Sequence, residues 1–324
     1  MKALRLLLAF VFVVTVSVTI LPAEAQGQGR GAPPVVVPTP TPEVMNEDPQ
    51  TETLRNDRMG FPAFKIIGNV YYVGTAFASS YLITTPEGNI VINSNREETI
   101  PLMKAGIESL GFKLEDTRIL LGSHAHGDHQ SADALFKQMT GATTMFMEQD
   151  VPALRNMRTG DKEHPIDRIL KDGDTVTLGG ATLTAHFTPG HTRGCTTYTM
   201  QATEGGRTHN VLFLCGGLPD DMRLVYNTGV PNIADEWAQT VAKWKTLPCD
   251  VFLGSHSWFF NLSGKYKRMM ANPSVNPWID PDGYRAYVDY TEKLREKLIA
   301  EQTAAGPPAP RGGGRGGAGG GRGN

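Results

Sequence analysis

The stretch LLGSHAHGDHQSADALF, residues 120–136, carries three histidines and one aspartate within six consecutive positions. It begins with an apolar run that predicts a strand and ends with a pattern that predicts a helix. In an extended segment that leaves a strand, His124 and His126 point the same way, because they are two positions apart. Both imidazoles can then bind one metal ion, while Asp128 and His129 can reach a second ion beside it. The sequence therefore predicts a metal centre at the end of this strand.

One loop cannot complete two such sites, so further ligands must come from elsewhere in the chain. His191 lies in HFTPGHTRG, in a Pro-Gly turn after an apolar strand, and His256 lies in VFLGSHSW, just past another strand end. Loops that follow strands are common places for binding sites on the rim of a packed sheet. We interpret the remaining histidines as structural: His164 and His209 in polar loops, and His186 within a strand.

Composition and charge exclude some classes of partner. The chain has 324 residues, of which 40% are apolar and 20% charged, as in ordinary soluble globular proteins. A formal net charge of -2 favours neither nucleic acid nor an anionic membrane surface as a partner. We therefore expect no nucleic acid as a partner. A small-molecule substrate and a monomer are expected as well.

Both ends of the chain differ from the middle in composition. A basic start, a long apolar run and the small-residue site AEA predict a signal peptide over residues 1–25, with an uncleaved membrane anchor as the alternative. This predicts a periplasmic or secreted protein. Residues 26–50 have the prolines and glycines of an extended linker, and residues 304–324 form a Gly/Arg-rich segment too poor in apolar side chains to fold. The predicted folded domain is 51–303.

Within this domain, two blocks of strands are each followed by helices. The clearest helix places Ile100, Met103, Ile107 and Leu110 on one face and is followed by Gly111. Two strand-rich blocks of this kind predict two sheets packed together with helices outside. Further helices are predicted around Glu236 to Thr246 and from Tyr284 onward.

The chain has an odd number of cysteines, Cys195, Cys215 and Cys249, so at least one thiol is unpaired within a monomer. Cys195 and Cys215 flank a predicted hairpin. A bridge between them is possible, but the sequence leaves the pairing open.

The motif His-x-His-x-Asp-His, followed by TPGHT and by a late histidine after a strand, closely resembles the metallo-β-lactamase superfamily. The resemblance runs from about Phe64 to Leu298 and is nearest to subclass B3 of the class B β-lactamases, on the segments FKIIGNVYYVGT, LITTPEGNIVIN, GGATLTAHFTPGHT and LPCDVFLGSH. It implies an α+β fold, an αββα sandwich of two mixed β-sheets with helices on the outer faces. It also implies two zinc ions, one bound by His124, His126 and His191 and the other by Asp128, His129 and His256. Zinc suits a ligand set dominated by imidazole.

The chain departs from the subclass where a substrate would be held. The usual Ala-Asp-Ser-Leu-Ser, whose serines help to hold the substrate carboxylate, is replaced by CGGLPDD, with Gly217 and Pro219 at that point. Relatives that hydrolyse thioesters or lactones place a metal-bridging aspartate near here, where this chain has Gly216 and Gly217, and its own Asp220 and Asp221 come too late. The sequence therefore favours the β-lactamase branch but leaves substrate recognition open.

Other departures concern residues around the ligands. Asn93 to Asn95 stand where Asp-Gly-Gly is common, and Arg193 and Cys195 stand where proline and serine are usual. The cysteine that normally partners the one in LPCD has no counterpart near DPDGYRAY, so the resemblance implies a free Cys249.

The expected activity is hydrolysis of the β-lactam amide by a zinc-bound hydroxide that Asp128 orients. The alternatives are a hydrolase of the same fold acting on another amide, a lactone or a phosphoester, and a non-catalytic zinc-binding protein of the cell envelope. The guanidinium of Arg193 could take the substrate carboxylate through two parallel hydrogen bonds, unless it points to solvent or pairs with an acid. In that case Tyr226, Asn227 and the backbone of Gly216 and Gly217 are the next candidates.

Overall fold

The computed structural model describes residues 59–158 and 161–308. The predicted signal peptide and linker lie outside the described residues, as does the predicted tail from residue 309 onward. The predicted domain end at residue 303 falls inside the last helix, which continues to Ala305. Within the described ranges, no helix has the length and apolar character needed to cross a membrane.

The first sheet contains seven strands in the order of the sequence, from β1 to β7. Strands β1 to β4 pair antiparallel, and β4 to β7 pair parallel. The strands are β1 (Phe64–Ile67), β2 (Val70–Tyr72), β3 (Tyr81–Thr85), β4 (Gly88–Ile92), β5 (Thr117–Leu121), β6 (Thr143–Met147) and β7 (Arg168–Leu170).

The second sheet contains five strands in the order β12-β11-β10-β9-β8. Its edge strand β12 runs parallel to β11, and the other pairs are antiparallel. The strands are β8 (Thr175–Leu178), β9 (Ala181–Phe187), β10 (Thr196–Glu204), β11 (Arg207–Leu214) and β12 (Val251–Gly254). Both sheets are mixed, as predicted.

Helices lie on the two outer faces, which confirms the predicted αββα sandwich. They are α1 (Ile100–Ser109), α2 (Gly127–Gln130), α3 (Asp133–Thr140), α4 (Val151–Asn156), α5 (Ile233–Thr246), α6 (Leu262–Ala271) and α7 (Pro281–Ala305). Short 3-10 turns cover Glu97–Thr99, Leu114–Asp116, Glu148–Asp150 and Ser257–Phe260.

Successive side chains of a strand point to opposite faces of the sheet, so the strands of the first sheet contribute to two hydrophobic cores. In β4, Ile90 and Ile92 face the second sheet, whereas Val91 faces the helical layer that contains α1. Ile107 of α1 is fully buried in that outer layer. Each such side chain contributes roughly 1.5–3 kcal/mol by leaving water.

On the opposite face, α5 and α7 cover the second sheet. Trp244 of α5 donates a hydrogen bond from Nε1 to Thr197 Oγ1 at 3.1 Å, and its carbonyl accepts the Tyr284 hydroxyl at 2.8 Å. Helix α7 begins at Pro281, earlier than the predicted Tyr284, because the Asp280 carboxylate caps it by accepting the Gly283 N–H at 2.8 Å.

Strands β5, β9 and β12, which precede the three loops with the candidate ligands, end at the same edge of the sandwich. The Tyr198 hydroxyl donates to the Gly122 carbonyl at 2.9 Å, which ties the end of β5 to β10. The Tyr81 hydroxyl donates to the Gly254 carbonyl at 2.6 Å, which ties β3 to the end of β12. A disulfide between Cys195 and Cys215 joins the loop after β9 to the end of β11, and Cys249 is free, as expected.

Candidate metal centre

The six predicted ligands meet at this edge as two adjacent groups. We call His124, His126 and His191 the first ligand group, and Asp128, His129 and His256 the second ligand group. Within each group, one ligand atom from every residue lies within 4.8 Å of the others. The ring centroids of His124 and His129 are 4.4 Å apart, so the two groups adjoin each other.

Hydrogen bonds orient the first ligand group. His124 Nδ1 lies 3.0 Å from Ser123 Oγ, and His191 Nδ1 donates to the Gly217 carbonyl at 2.8 Å. The Nε2 atoms of His124 and His191 are buried and have no hydrogen-bond partner. A buried nitrogen of this kind costs free energy unless something binds it, and a metal ion is a suitable partner for the lone pair.

The turn that carries His191 packs closely on two sides. Gly190 has a φ of 127°, and a Cβ there would lie 2.8 Å from the Trp237 ring of α5. A Cβ on Gly216 would lie 2.4 Å from the His191 ring. The imidazole of His191 therefore occupies the space that any side chain at position 216 would need.

The second ligand group surrounds one carboxylate oxygen. Asp128 Oδ2 lies 3.3 Å from His129 Nε2 and 3.5 Å from His256 Nε2. The two Nε2 atoms are 3.2 Å apart, and His256 Nδ1 donates to the Phe77 carbonyl at 3.4 Å. Two ring nitrogens and a carboxylate oxygen thus converge, a donor set that fits a divalent metal ion.

Burial keeps three of the imidazoles, those of His124, His191 and His256, in the uncharged form that binds metal. It lowers the pKa of His191 to about 3 and that of His256 to about 4. Burial, with the neighbouring histidines, also holds the pKa of His124 well below its usual range. Burial opposes ionisation of Asp128, but His129 and His256 outweigh it and lower the pKa of this carboxyl. At neutral pH the site therefore offers uncharged imidazoles at His124, His191 and His256 and the carboxylate of Asp128.

Comparison with known proteins identifies this arrangement. A family model described as the metallo-beta-lactamase superfamily matches residues 73–203. The structure of FEZ-1 metallo-β-lactamase from Legionella gormanii is 40% identical, with 76% of this chain and 98% of that chain covered and a TM-score of 0.72. The subclass B3 enzyme BJP-1 of Bradyrhizobium japonicum is 35% identical, with 78% and 99% covered and a TM-score of 0.71. This chain belongs to the metallo-β-lactamase superfamily.

Curated relatives within the superfamily have other names. A hydroxyacylglutathione hydrolase of Rhodopseudomonas palustris is 26% identical over 70% of this chain and 75% of that protein. A probable metallo-hydrolase of Burkholderia pseudomallei is 34% identical over 33% of this chain, and the match spans only 37% of the relative's length. These similarities and the ligand groups make this chain a metallo-hydrolase, and its substrate is a separate question.

Asp150 supports the metal site of this superfamily member without being a ligand. It accepts hydrogen bonds from the Ala125 N–H at 2.8 Å, the Thr192 hydroxyl at 2.8 Å and the Gly194 N–H at 2.6 Å. It thereby joins the loop of His124 and His126 to the loop of His191. Sequence reasoning missed it because Asp150 lies in the middle of the chain with no spacing that relates it to either loop.

The stretch Asn93 to Asn95, which replaces Asp-Gly-Gly, supports the same loop. Asn93 Oδ1 accepts the Ser123 N–H at 2.9 Å, and the Asn95 N–H donates to the His129 carbonyl at 2.8 Å. Both asparagines have positive φ values, 64° and 62°, in the left-handed region that asparagine tolerates better than most residues. The second asparagine thus stands where glycine is common without losing the backbone conformation.

The three histidines interpreted as structural join neither ligand group. His186 Nε2 bonds Thr199 Oγ1 at 2.8 Å, and His209 lies in strand β11 rather than in a polar loop. The side chain of His164 is buried, and its Nε2 lies 3.0 Å from Asp133 Oδ2. His164 lies in a loop, as predicted, but its ring is buried because it packs against the buried carboxylate of Asp133.

The candidate substrate residues are engaged elsewhere in the structure. Arg193 Nη1 pairs with Glu236 Oε1 at 2.8 Å, and 56% of the arginine side chain is exposed. Asn227 Oδ1 accepts the N–H groups of Gly229 and Val230, and Tyr226 is exposed. Binding of a substrate carboxylate by Arg193 stays a prediction, and it requires the ion pair with Glu236 to break.

A cavity of about 280 Å³ opens beside the metal centre, with His191 and His256 in its lining. A larger cavity of about 400 Å³ lies by Trp244 and Cys249, but none of the six ligands lines it. A substrate can reach the metal centre from the cavity of about 280 Å³. Its other walls are formed by residues 217–220, by Trp258 and Phe259, and by Tyr287, Tyr290 and Thr291.

Proposed function

We propose that this protein is an exported di-zinc hydrolase that opens the amide bond of β-lactams. Each ligand group would hold one zinc ion, through His124, His126 and His191 in the first and Asp128, His129 and His256 in the second. When bound, zinc supplies Lewis acidity that activates water and polarises a carbonyl.

The residues of the chain prepare the site for this chemistry. The Gly217 carbonyl fixes the tautomer of His191 that leaves Nε2 free. The Asp128 carboxylate remains ionised at neutral pH, so it can accept a hydrogen bond from a water and hold that water in one orientation. The buried His124 and His129 exclude bulk water from the inner side of the centre.

The close packing of His191 against Gly216 is the observation that favours a β-lactam over a thioester as the substrate. Thioester-hydrolysing relatives are expected to place a metal-bridging aspartate at this point, but a Cβ on Gly216 would lie 2.4 Å from the His191 ring. The preceding residue, Cys215, is held in the disulfide with Cys195. The first ligand group therefore leaves no room for a bridging acid, and the alternative of a thioesterase is disfavoured.

A thioesterase is nevertheless the second candidate, because a curated relative is named hydroxyacylglutathione hydrolase at 26% identity. Zinc-loaded protein incubated with a chromogenic cephalosporin and, separately, with a glutathione thioester discriminates between the two. We expect ring opening that a His126→Ala variant lacks. Turnover of the thioester, or of a lactone or phosphodiester, without ring opening would overturn the proposal, and zinc binding without any turnover would indicate a binding protein.

Export to the periplasm or the medium is part of the same proposal. The Cys195–Cys215 disulfide supports it, since such bonds persist in oxidising compartments. The intact mass of protein purified from its own cells tests it. We expect a mass that corresponds to cleavage after residue 25, and retention of the full N-terminus would favour the membrane-anchor alternative.

A further inference from the structure

We propose that the cavity beside the metal centre selects β-lactams whose side group carries a positive charge, such as a quaternary ammonium or a pyridinium. This inference rests on the proposed β-lactamase function, because it names a substrate class for the same site. It is carried by the aromatic and acidic lining of the cavity.

Four aromatic rings line the cavity: those of Trp258, Phe259, Tyr287 and Tyr290. Trp258 stacks on His256 with ring centroids 4.2 Å apart and an interplanar angle of 17°, so this wall continues directly from the second ligand group. Tyr290 is 41% exposed, whereas Tyr287 and Phe259 are buried. An aromatic surface therefore extends from the metal ligands toward solvent.

The one charged side chain in this lining, apart from the histidines, is the exposed carboxylate of Asp220. No lysine or arginine lines the cavity in the part of the chain that the structure describes. Arg193 pairs with Glu236, and neither residue lines the cavity. The protein wall thus presents negative charge and aromatic quadrupoles to a substrate.

Aromatic faces and a carboxylate together attract organic cations. The reacting amide must lie by His191 and His256, so a side group extends toward the exposed members of the lining, Asp220 and Tyr290. A cation there gains from both residues, while an additional anionic group is repelled.

A matched pair of substrates tests the proposal by turnover. Two cephalosporins should differ only in the group on C3, a quaternary ammonium in one and a neutral group of similar size in the other. The ratio of kcat/KM for the cationic to the neutral substrate should fall about fivefold in Asp220→Asn and by a similar factor in Tyr290→Ala.

Asp221→Asn is the matched control, because Asp221 is the adjacent exposed acid and does not line the cavity. This variant should keep the ratio of the parent protein. Equal ratios in the parent, Asp220→Asn and Tyr290→Ala would overturn the proposal. An equal fall in Asp221→Asn would also overturn it, because the effect would then come from overall charge.

Binding without turnover separates this proposal from the proposed function. Trp258 is the one tryptophan that is not fully buried, since Trp237, Trp244 and Trp278 are each 0% exposed. Quenching of tryptophan fluorescence by choline, compared with its neutral isostere 3,3-dimethyl-1-butanol, therefore reports on the cavity. We expect choline to bind at least about threefold more tightly, with the preference lost in Asp220→Asn and the signal lost in Trp258→Phe.

If neither cephalosporin is hydrolysed, the proposed function fails, and the fluorescence titration still decides whether the cavity binds cations. Equal binding of choline and its isostere would overturn the cavity proposal even in an active β-lactamase.

Discussion

The two ligand groups are neighbours, but different forces hold them. In the first ligand group, three imidazoles surround the site, and hydrogen bonds at Nδ1 of His124 and His191 fix their orientation. In the second ligand group, the Asp128 carboxylate faces two imidazoles, and aromatic rings pack around His256, whose Nδ1 makes a longer hydrogen bond of 3.4 Å to the Phe77 carbonyl. The Phe77 and Trp258 ring centroids lie 4.8 Å and 4.2 Å from that of His256.

This difference indicates which kind of substitution should disrupt metal binding by each group. The first group has no charged ligand, so it depends on imidazole tautomers that present Nε2 to the metal. The second group depends on one negative charge and on packing. A substitution that removes a ring should destroy the first group, whereas an isosteric loss of charge should suffice to empty the second.

The largest effect is expected in His191→Ala, which removes a ligand of the first group. Activity on a β-lactam should fall by about a thousandfold or more, because the activated water and the polarised carbonyl both depend on bound zinc. His186→Ala is the control, since His186 lies five positions earlier and bonds Thr199 instead. Steady-state hydrolysis measures both, and equal losses would place the importance of His191 in folding.

If each ligand group holds one zinc ion, as proposed, Asp128→Asn and His256→Ala should each release the zinc of the second ligand group and leave that of the first. Asp128→Asn loses the charge without changing the shape of the side chain, and His256→Ala loses the packed ring. Activity should therefore fall by about a hundredfold in both variants. Native mass spectrometry counts the ions. Loss of both zinc ions together in either variant would contradict the division into two groups.

Asp150→Ala removes the connection between the two loops that carry the first group. Zinc affinity should fall by about 10- to 100-fold, as is typical when a residue that orients ligands is lost. Competition with a chelator of known affinity measures this. Asp172→Ala, which removes a partly exposed acid paired with Lys243, is the control and should leave the affinity unchanged.

The metal-free protein should lose stability as the pH falls below about 6.5. Burial lowers the pKa of His191 to about 3 and of His256 to about 4 in the folded state, so between these values and 6.5 the unfolded chain binds more protons. The free energy of unfolding therefore decreases with falling pH, by up to about 1.4 kcal/mol per pH unit for each imidazole. Urea unfolding of chelator-treated protein measures the slope, and a slope of opposite sign would contradict the burial of neutral imidazoles.

The smallest effect is expected in Arg193→Ala. Because the guanidinium is more than half exposed and pairs with Glu236, KM for carboxylate-bearing β-lactams should change by less than about threefold. A rise of about tenfold would instead show that Arg193 leaves Glu236 to bind the substrate, as the sequence predicted.

Prediction from sequence succeeded where the information is local. Helix α1 follows from the spacing of Ile100, Met103 and Ile107, and helix α5 contains the segment predicted from Glu236 to Thr246. The order of strands and helices predicted two packed sheets with helices outside, and the family resemblance implied the αββα sandwich. Strand β7 and helix α6 were missed, since neither has a strong pattern of its own.

Residue types and short spacings by themselves determined the candidate ligands, because the side chains that bind zinc are few and four of them lie between positions 124 and 129. Contacts between residues distant in sequence were decided only by the tertiary structure. Asp150 bridges two loops, and Glu236 pairs with the guanidinium of Arg193. Tyr290 of α7 and Asp220 line the same cavity. No local pattern encodes such pairs, since each exists only after the two sheets and their helices have packed. The sequence alone therefore predicts the ligands of the metal centre, whereas the lining of the substrate cavity depends on the tertiary structure.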